Sequence, residues 1–213
     1  GKPVAKVNPP AAQLTEEKRV VMEDKVQLPR LMMVWLTPAV YTPGNAEMDL
    51  LANILTGGKN SRLYKRLVYD LQIAQSVFAY QDAKKFSSEF YLVATARPGV
   101  SLDQLEKVIQ EELDKLAMEG PAERELQRVK NQYESGFMSQ MESAGNKADQ
   151  MNSYYYYTGN PDYFNEDLQR YKAVSSSDIS SVVRRYLKSN ARVVMSIVPE
   201  GKTDLAPTKL SPR

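Results

Sequence analysis

The chain has 213 residues, 42% of them apolar and 25% charged, which suits one globular domain with a sizeable core. Lys plus Arg (28) nearly balances Asp plus Glu (26), and no basic stripe is clustered, so nucleic acid is not an expected partner. The absence of Cys and His excludes disulfides, Cys nucleophiles, His-dependent triads and the usual zinc ligands; carboxylate, Lys, Ser and Tyr chemistry stays open.

Residues 1–14, with Pro3, Pro9 and Pro10 among small residues, predict an extended linker or N-terminal arm. Gly1-Lys2-Pro3-Val4 carries no signal-peptide pattern and reads as an internal cut or a mature end. Residues 16–23 predict an edge strand with charged flanks. Leu31 to Leu36 is a continuous apolar run, which predicts a strand buried on both faces.

Met48, Leu51, Ala52 and Leu55 recur at helical spacing, and Gly57-Gly58 stops that helix. A second helix is expected from Asn60 to Leu71, with Leu63, Leu67 and Leu71 on one face. Residues 73–80 and 89–96 predict a strand pair joined by a polar loop. Leu102, Leu105, Ile109, Leu113 and Leu116 then define an amphipathic helix, with Ser101 and Gln104 as a capping box.

Gly120 ends that helix and Pro121 opens the next, which Gly145 interrupts or ends. A Tyr-rich helix is expected over 146–157, and Ser175 to Asp178 caps a final helix. A last strand covers 192–198, and 201–213 reads as a loose tail. The order is β-β-α-α-β-β-α-α-α-α-β over a single domain at 15–200. This is an α+β protein with a mostly antiparallel sheet covered on one face by long helices. No stretch reaches the roughly 20 apolar residues of a membrane span.

Chemistry-bearing motifs are sparse. Gly57-Gly58-Lys59-Asn60-Ser61 lacks the spacing and preceding strand of a phosphate loop. Glu111-Glu112 reads as a solvated helix face, and no loop carries alternating acidic metal ligands. Arg62 and Arg66, one helical turn apart, are expected to pair with acids such as Asp70. Tyr154 to Tyr157 would divide between core and surface, packing against the sheet and an opposing half.

The run Gly57-Gly58-Lys59-Asn60-Ser61-Arg62-Leu63-Tyr64-Lys65-Arg66-Leu67 resembles the Gly-rich turn and following helix of insulinase/pitrilysin-type zinc peptidases. The later segments Ala96-Arg97-Pro98-Gly99, Glu119-Gly120-Pro121, Glu125 to Gln132 and Tyr157 to Tyr163 are similar to that family in order and spacing, over Gln27 to Pro199. The resemblance implies the half-domain fold of mitochondrial processing peptidase-like proteins, two such halves closing like a clamshell.

One half of the family carries two His zinc ligands and a Glu base. A chain without His resembles the inactive C-terminal-type half, with no cofactor of its own, zinc in a homologous partner half, and a peptide as substrate. The family's partner half often has an Arg and, seven residues on, a Tyr that hold the substrate. In the register of Ser61-Arg62-Leu63 these fall on Val68 and Gln75, a departure, with Arg66 nearby. Gln75, Val68 and Arg66 are the candidate substrate-binding residues, and no catalytic or metal residue is expected. Bacterial two-half members are commonly exported, which implies the periplasm. A structural or scaffolding domain of the same fold, as in respiratory complexes, is the alternative, and an unrelated His-free Ser or Lys enzyme ranks last.

Overall fold

A computed structural model describes Gly1, Pro9, Pro10 and residues 12–207. Most of the linker expected over 1–14 and the tail beyond Pro207 lie outside the described residues. The strands are β1 (Lys18–Asp24), β2 (Arg30–Thr37), β3 (Ala74–Asp82), β4 (Ser88–Ala96) and β5 (Val193–Pro199). The helices are α1 (Asn45–Thr56), α2 (Leu102–Glu119), α3 (Glu123–Gln140), α4 (Ala144–Thr158), α5 (Phe164–Ala173) and α6 (Ser176–Tyr186). A π-helical segment spans Tyr64–Asp70, and a 3₁₀ turn, Thr203–Leu205, brings Ala206 into the core.

The sheet order is β1-β5-β2-β4-β3, antiparallel except for the β1–β5 pair. The α+β class and the mostly antiparallel sheet hold. Every sheet residue of the hydrophobic core, such as Leu31, Met33, Trp35, Phe90, Leu92 and Val194, lies on one face. The helices pack there, and Trp35 Nε1 donates to the Lys188 carbonyl at 3.0 Å.

Several local expectations are corrected. β2 is buried on one face only: Leu31, Met33, Trp35 and Thr37 alternate with half-buried Met32, Val34 and Leu36. The helix expected over 60–71 closes as a π turn, Leu71 N–H donating to the Arg66 carbonyl five residues back. Ser101 precedes α2 without a side-chain cap bond. α3 ends at Gln140, not at Gly145, because the Ser143 hydroxyl starts α4 by accepting from Asn146 N–H. α5 was not expected at all; its only buried apolar side chains are Leu168 and Tyr171. The Ser175–Asp178 capping box forms as expected, with Ser175 N–H donating to Asp178 at 2.8 Å and Asp178 N–H to Ser175 Oγ at 3.2 Å.

One buried network closes the β1 end of the sheet. Arg19 and Arg192 face Glu17 and Glu106, with Arg192 Nη2–Glu106 and Arg19 Nη2–Glu106 both at 2.6 Å and Arg192 Nε–Glu17 at 2.8 Å. Burial opposes ionisation of Glu17, but hydrogen bonds from Arg19 and Arg192 outweigh it and hold the carboxyl below its ordinary range.

A second network joins α1, α4 and α5. Tyr171 Oη donates to Asp49 at 2.6 Å, Tyr154 Oη to Asp167 at 2.8 Å, and Arg170 bridges Asp167 (2.7 Å) and Asn45 (2.9 Å). Burial is the main cause that pushes Asp49 up to about 6, against the opposing Tyr171 hydrogen bond and Arg170 charge. Between about pH 4 and pH 6 the native state therefore holds a proton there that the unfolded chain releases. Stability from this group is full below about pH 4 and is lost as pH rises through about 6. Asp49→Asn keeps an oxygen for Tyr171 and is expected to stabilise the chain by about 2 kcal/mol at about pH 8 and negligibly at about pH 4. Urea unfolding of both proteins at the two pH values checks it; an equal effect at both would refute the assignment.

Candidate functional site

The face of the sheet turned away from the helices carries a second apolar set. Strand register aligns it into rows that cross the sheet. Phe78, Val93, Met32, Met195 and Val20 form one unbroken row from β3 to β1. Tyr80, Tyr91, Val34, Val193 and Lys18 form the next. Tyr80 and Tyr91 stack at 4.9 Å between ring centroids, and Phe78 lies 6.4 Å from Tyr80.

None of these residues belongs to the core cluster, and among them only Val93, set between Phe78 and Met32, is buried. Val20, Met22, Phe78 and Tyr80 are each more than 40% exposed. Five strands of large apolar side chains, bare of any described helix, form a patch of the kind that marks an interface. Polar groups bound it. Ser76, Thr95 and Arg30 begin the row on one side, and Lys84 pairs with Asp82 (3.0 Å) and Glu89 on the other.

The three sequence-predicted residues lie along the segment that enters β3. Arg66 is committed to two carboxylates of α2, bonding Glu112 at 2.6 Å and Glu111. Asp70, its expected partner, is replaced in that role because the π turn and the facing helix bring Glu111 and Glu112 to the guanidinium. Glu112 is accordingly buried rather than a solvated face. Arg62 likewise turns to α3, pairing with Glu125 through Nε (3.0 Å) and Nη2 (2.7 Å). That hydrogen bond is the main reason the Glu125 carboxyl sits below its ordinary range.

Val68 packs half-buried against the core. Gln75 is the extra residue of a β-bulge between Ala74 and Ser76, and it is exposed. Gln72, just before it, takes a left-handed backbone at φ 53°. A π turn, a left-handed non-glycine residue and a bulge thus follow one another within twelve residues of chain, a concentration often found at functional positions.

The tyrosine run divides as expected in burial but not in placement. Tyr154 is fully buried, yet its neighbours are Tyr41, Tyr163 and Phe164 rather than the sheet. Tyr155 and Tyr156 are at least 60% exposed. Tyr154 is the only buried residue of α4. The sequence did contain a signal for the open face: the near-continuous apolar runs of β2 (Leu31 to Leu36) and β5 (Val193 to Val198, broken only by Ser196) exceed what one helical layer covers.

Among the described residues no group of three or more His, Cys, Asp or Glu is placed to hold a metal, and no helix is long and apolar enough to cross a membrane. The donor set does not fit a zinc site, since it offers neither imidazole nor thiolate.

Comparison with known proteins places these features. Residues 1–133 match the family model described as the peptidase M16 inactive domain. The chain is 26% identical over 183 residues to the zinc protease PqqE of Helicobacter pylori, covering 84% of this chain and 40% of that protein. A crystal structure of a protease from Helicobacter pylori superposes with a TM-score of 0.81 at 22% identity, over 88% of this chain and 46% of that one. A peptidase M16 inactive domain from Pseudomonas fluorescens gives 0.77 at 18% identity, over 93% and 47%. The chain spans less than half the length of each.

Proposed function

The chain belongs to the peptidase M16 inactive-domain family, and from that premise we propose that it is the non-catalytic half of a zinc-dependent peptidase. It closes the chamber and helps hold a peptide that a homologous, zinc-binding half hydrolyses. The observation that carries this reading is the bare five-strand apolar face. A domain with this surface needs a partner to cover it, and a partner of similar size is consistent with relatives about twice as long.

Zinc, a water made nucleophilic by it and a carboxylate base would belong to the other half. Gln75 is the residue we assign to peptide contact: its exposed amide can both donate and accept. Val68 and Arg66 act through it, holding the segment that presents the bulge against the core and α2. A structural role for the whole domain is the second reading, favoured by an apolar Val68 where the family often has a charge.

The test is hydrolysis of a peptide library, with zinc, by this chain, by the His-containing half and by their equimolar mixture. Activity in the mixture alone, removed by a chelator, is the expected result. Gln75→Ala is expected to lower kcat/KM of the mixture about tenfold, the value of one hydrogen bond to substrate. A zinc half that is fully active alone, with no gain in rate or selectivity from the mixture, would leave the structural role standing instead.

A further inference from the structure

We propose that the outward face of α3 is a docking strip for an acidic stretch of the peptide substrate. This rests on the reading of the chain as the non-catalytic half of a two-half peptidase.

α3 is held to the body through Leu126 and Val129, its only buried residues. It packs against α1 and α5, so it stands on the helical side of the sheet, away from the open face. Its solvent side carries Arg124, Gln127, Arg128, Asn131, Gln132 and Ser135, at helical spacing that sets them in one stripe. These six residues line a shallow groove of about 590 Å³. From Arg124 to Ser135 the helix rises about 16 Å, a length that about five residues of extended peptide cover. The two arginines are about 6 Å apart along the axis. Same-side residues of an extended chain are about 7 Å apart, so acidic residues at alternate positions engage both.

The chemistry of the strip selects an anion. No carboxylate lines the groove. Of the acids of α3, Glu125 is taken by Arg62 at 2.7 Å and by the Ala122 N–H at 3.0 Å, Glu134 is taken by Lys172 at 2.5 Å, and Glu123 lies outside the groove. Arg124 and Arg128 therefore form a like-charge pair at i and i+4, which an anion laid across both relieves. The bonds inside the strip consume acceptors. Gln127 Nε2 donates to Asn131 Oδ1 at 2.7 Å, and Arg128 Nη1 donates to Gln132 Oε1 at 3.1 Å and to the Gly57 carbonyl at 3.3 Å. Of the amide oxygens only Gln127 Oε1 is left over. What the strip offers outward is N–H groups: the Arg124 guanidinium, the rest of Arg128, and the amide nitrogens of Asn131 and Gln132. A peptide with acidic side chains meets both kinds, its carboxylates on the guanidiniums and its backbone carbonyls on the amides. Two cations on one helix are too few for a phosphate backbone, and the chain as a whole is nearly neutral.

Binding is measured first on this chain alone, by fluorescence anisotropy of a fluorescein-labelled peptide Gly-Ala-Glu-Ala-Glu-Ala-Gly and of its glutamine counterpart. The glutamate peptide is expected to bind at least about tenfold more tightly, and to lose that margin in raised salt and in the double variant Arg124→Gln, Arg128→Gln. Arg185→Gln, Lys188→Gln removes the same charge from exposed positions at the end of α6 and is expected to leave binding unchanged. The second measurement is hydrolysis, by the mixture with the zinc-binding half, of substrates that carry either the glutamate or the glutamine run. The strip variant is expected to raise KM for the glutamate substrate about tenfold with kcat unchanged, and to leave the glutamine substrate unaffected. Equal binding of the two peptides, or equal losses in the two double variants, would overturn the strip. Binding with no change in KM would overturn its assignment to substrate. A mixture that hydrolyses no peptide would overturn the peptidase reading, and the substrate assignment with it, even where this chain alone still binds the glutamate peptide.

Discussion

Glu106→Ala is expected to cost about 3–5 kcal/mol, enough to lower the melting temperature by roughly 10 °C. Glu106 is wholly buried on α2 and receives hydrogen bonds from both Arg19 and Arg192, of which Arg192 is itself 1% exposed. The network is neutral with two arginines and two glutamates. Loss of Glu106 leaves two guanidiniums against Glu17 alone, and a buried charge without its partner is far more costly than the pair is favourable. Differential scanning calorimetry of the variant checks it, and a shift below about 2 °C would show that water reaches and solvates the arginines.

The consequence extends to the proposed interface. Arg19 lies on β1, and Arg192 immediately precedes β5, its parallel neighbour, so the network clamps the outermost strand. β1 otherwise contributes little to the core: Val20, Val21 and Met22 are all more than 40% exposed. Release of β1 removes Val20 and Met22 from the open sheet face, so the same variant is expected to bind the proposed partner half more weakly even where the remaining fold survives.

Gly120→Ala is the second large effect, a loss of about 3 kcal/mol or more. Gly120 ends α2 at φ 70°, ψ −179°, a backbone region essentially confined to glycine. A Cβ there would stand 2.5 Å from Ser176 Oγ and 3.0 Å from the Ser176 carbonyl. Ser176 cannot swing away freely, because its hydroxyl donates to the Pro121 carbonyl at 2.7 Å and it opens α6. The steric part separates from the backbone part by adding Ser176→Gly, which removes the closest atom. Chemical denaturation should show the double variant recovering about 1 kcal/mol; no recovery would place the cost in the backbone and in the remaining close atoms, Ser180 Oγ at 2.9 Å and the Ser176 carbonyl at 3.0 Å.

Much of this molecule was legible from residue patterns. α2 follows from apolar residues at three- and four-residue steps, and α6 from its capping box, since both signals are local and the helix displays them directly. The lack of imidazole and thiolate ligands could be read from composition alone. α5 was missed because ten residues with two buried apolar side chains produce too short a period to stand out. Arg66 was paired with Asp70 because i,i+4 spacing assumes an α turn, whereas the π turn places that position differently and α2 brings in Glu111 and Glu112 from 45 and 46 residues away.

The sequence by itself determined the class of fold, most of its helices and strands in order, and the lack of imidazole and thiolate ligands. These depend on periodicity and composition, which are properties of neighbouring residues. Only the tertiary structure decided which face of the sheet stays bare, which side chains align across it and where α4 points. The pleat assigns each residue to one of two faces, but the row from Phe78 to Val20 exists only because the strands stand in the order β1-β5-β2-β4-β3. That order is set by which strands bury their helix-facing side chains together, a choice among residues up to 175 positions apart that no local pattern contains.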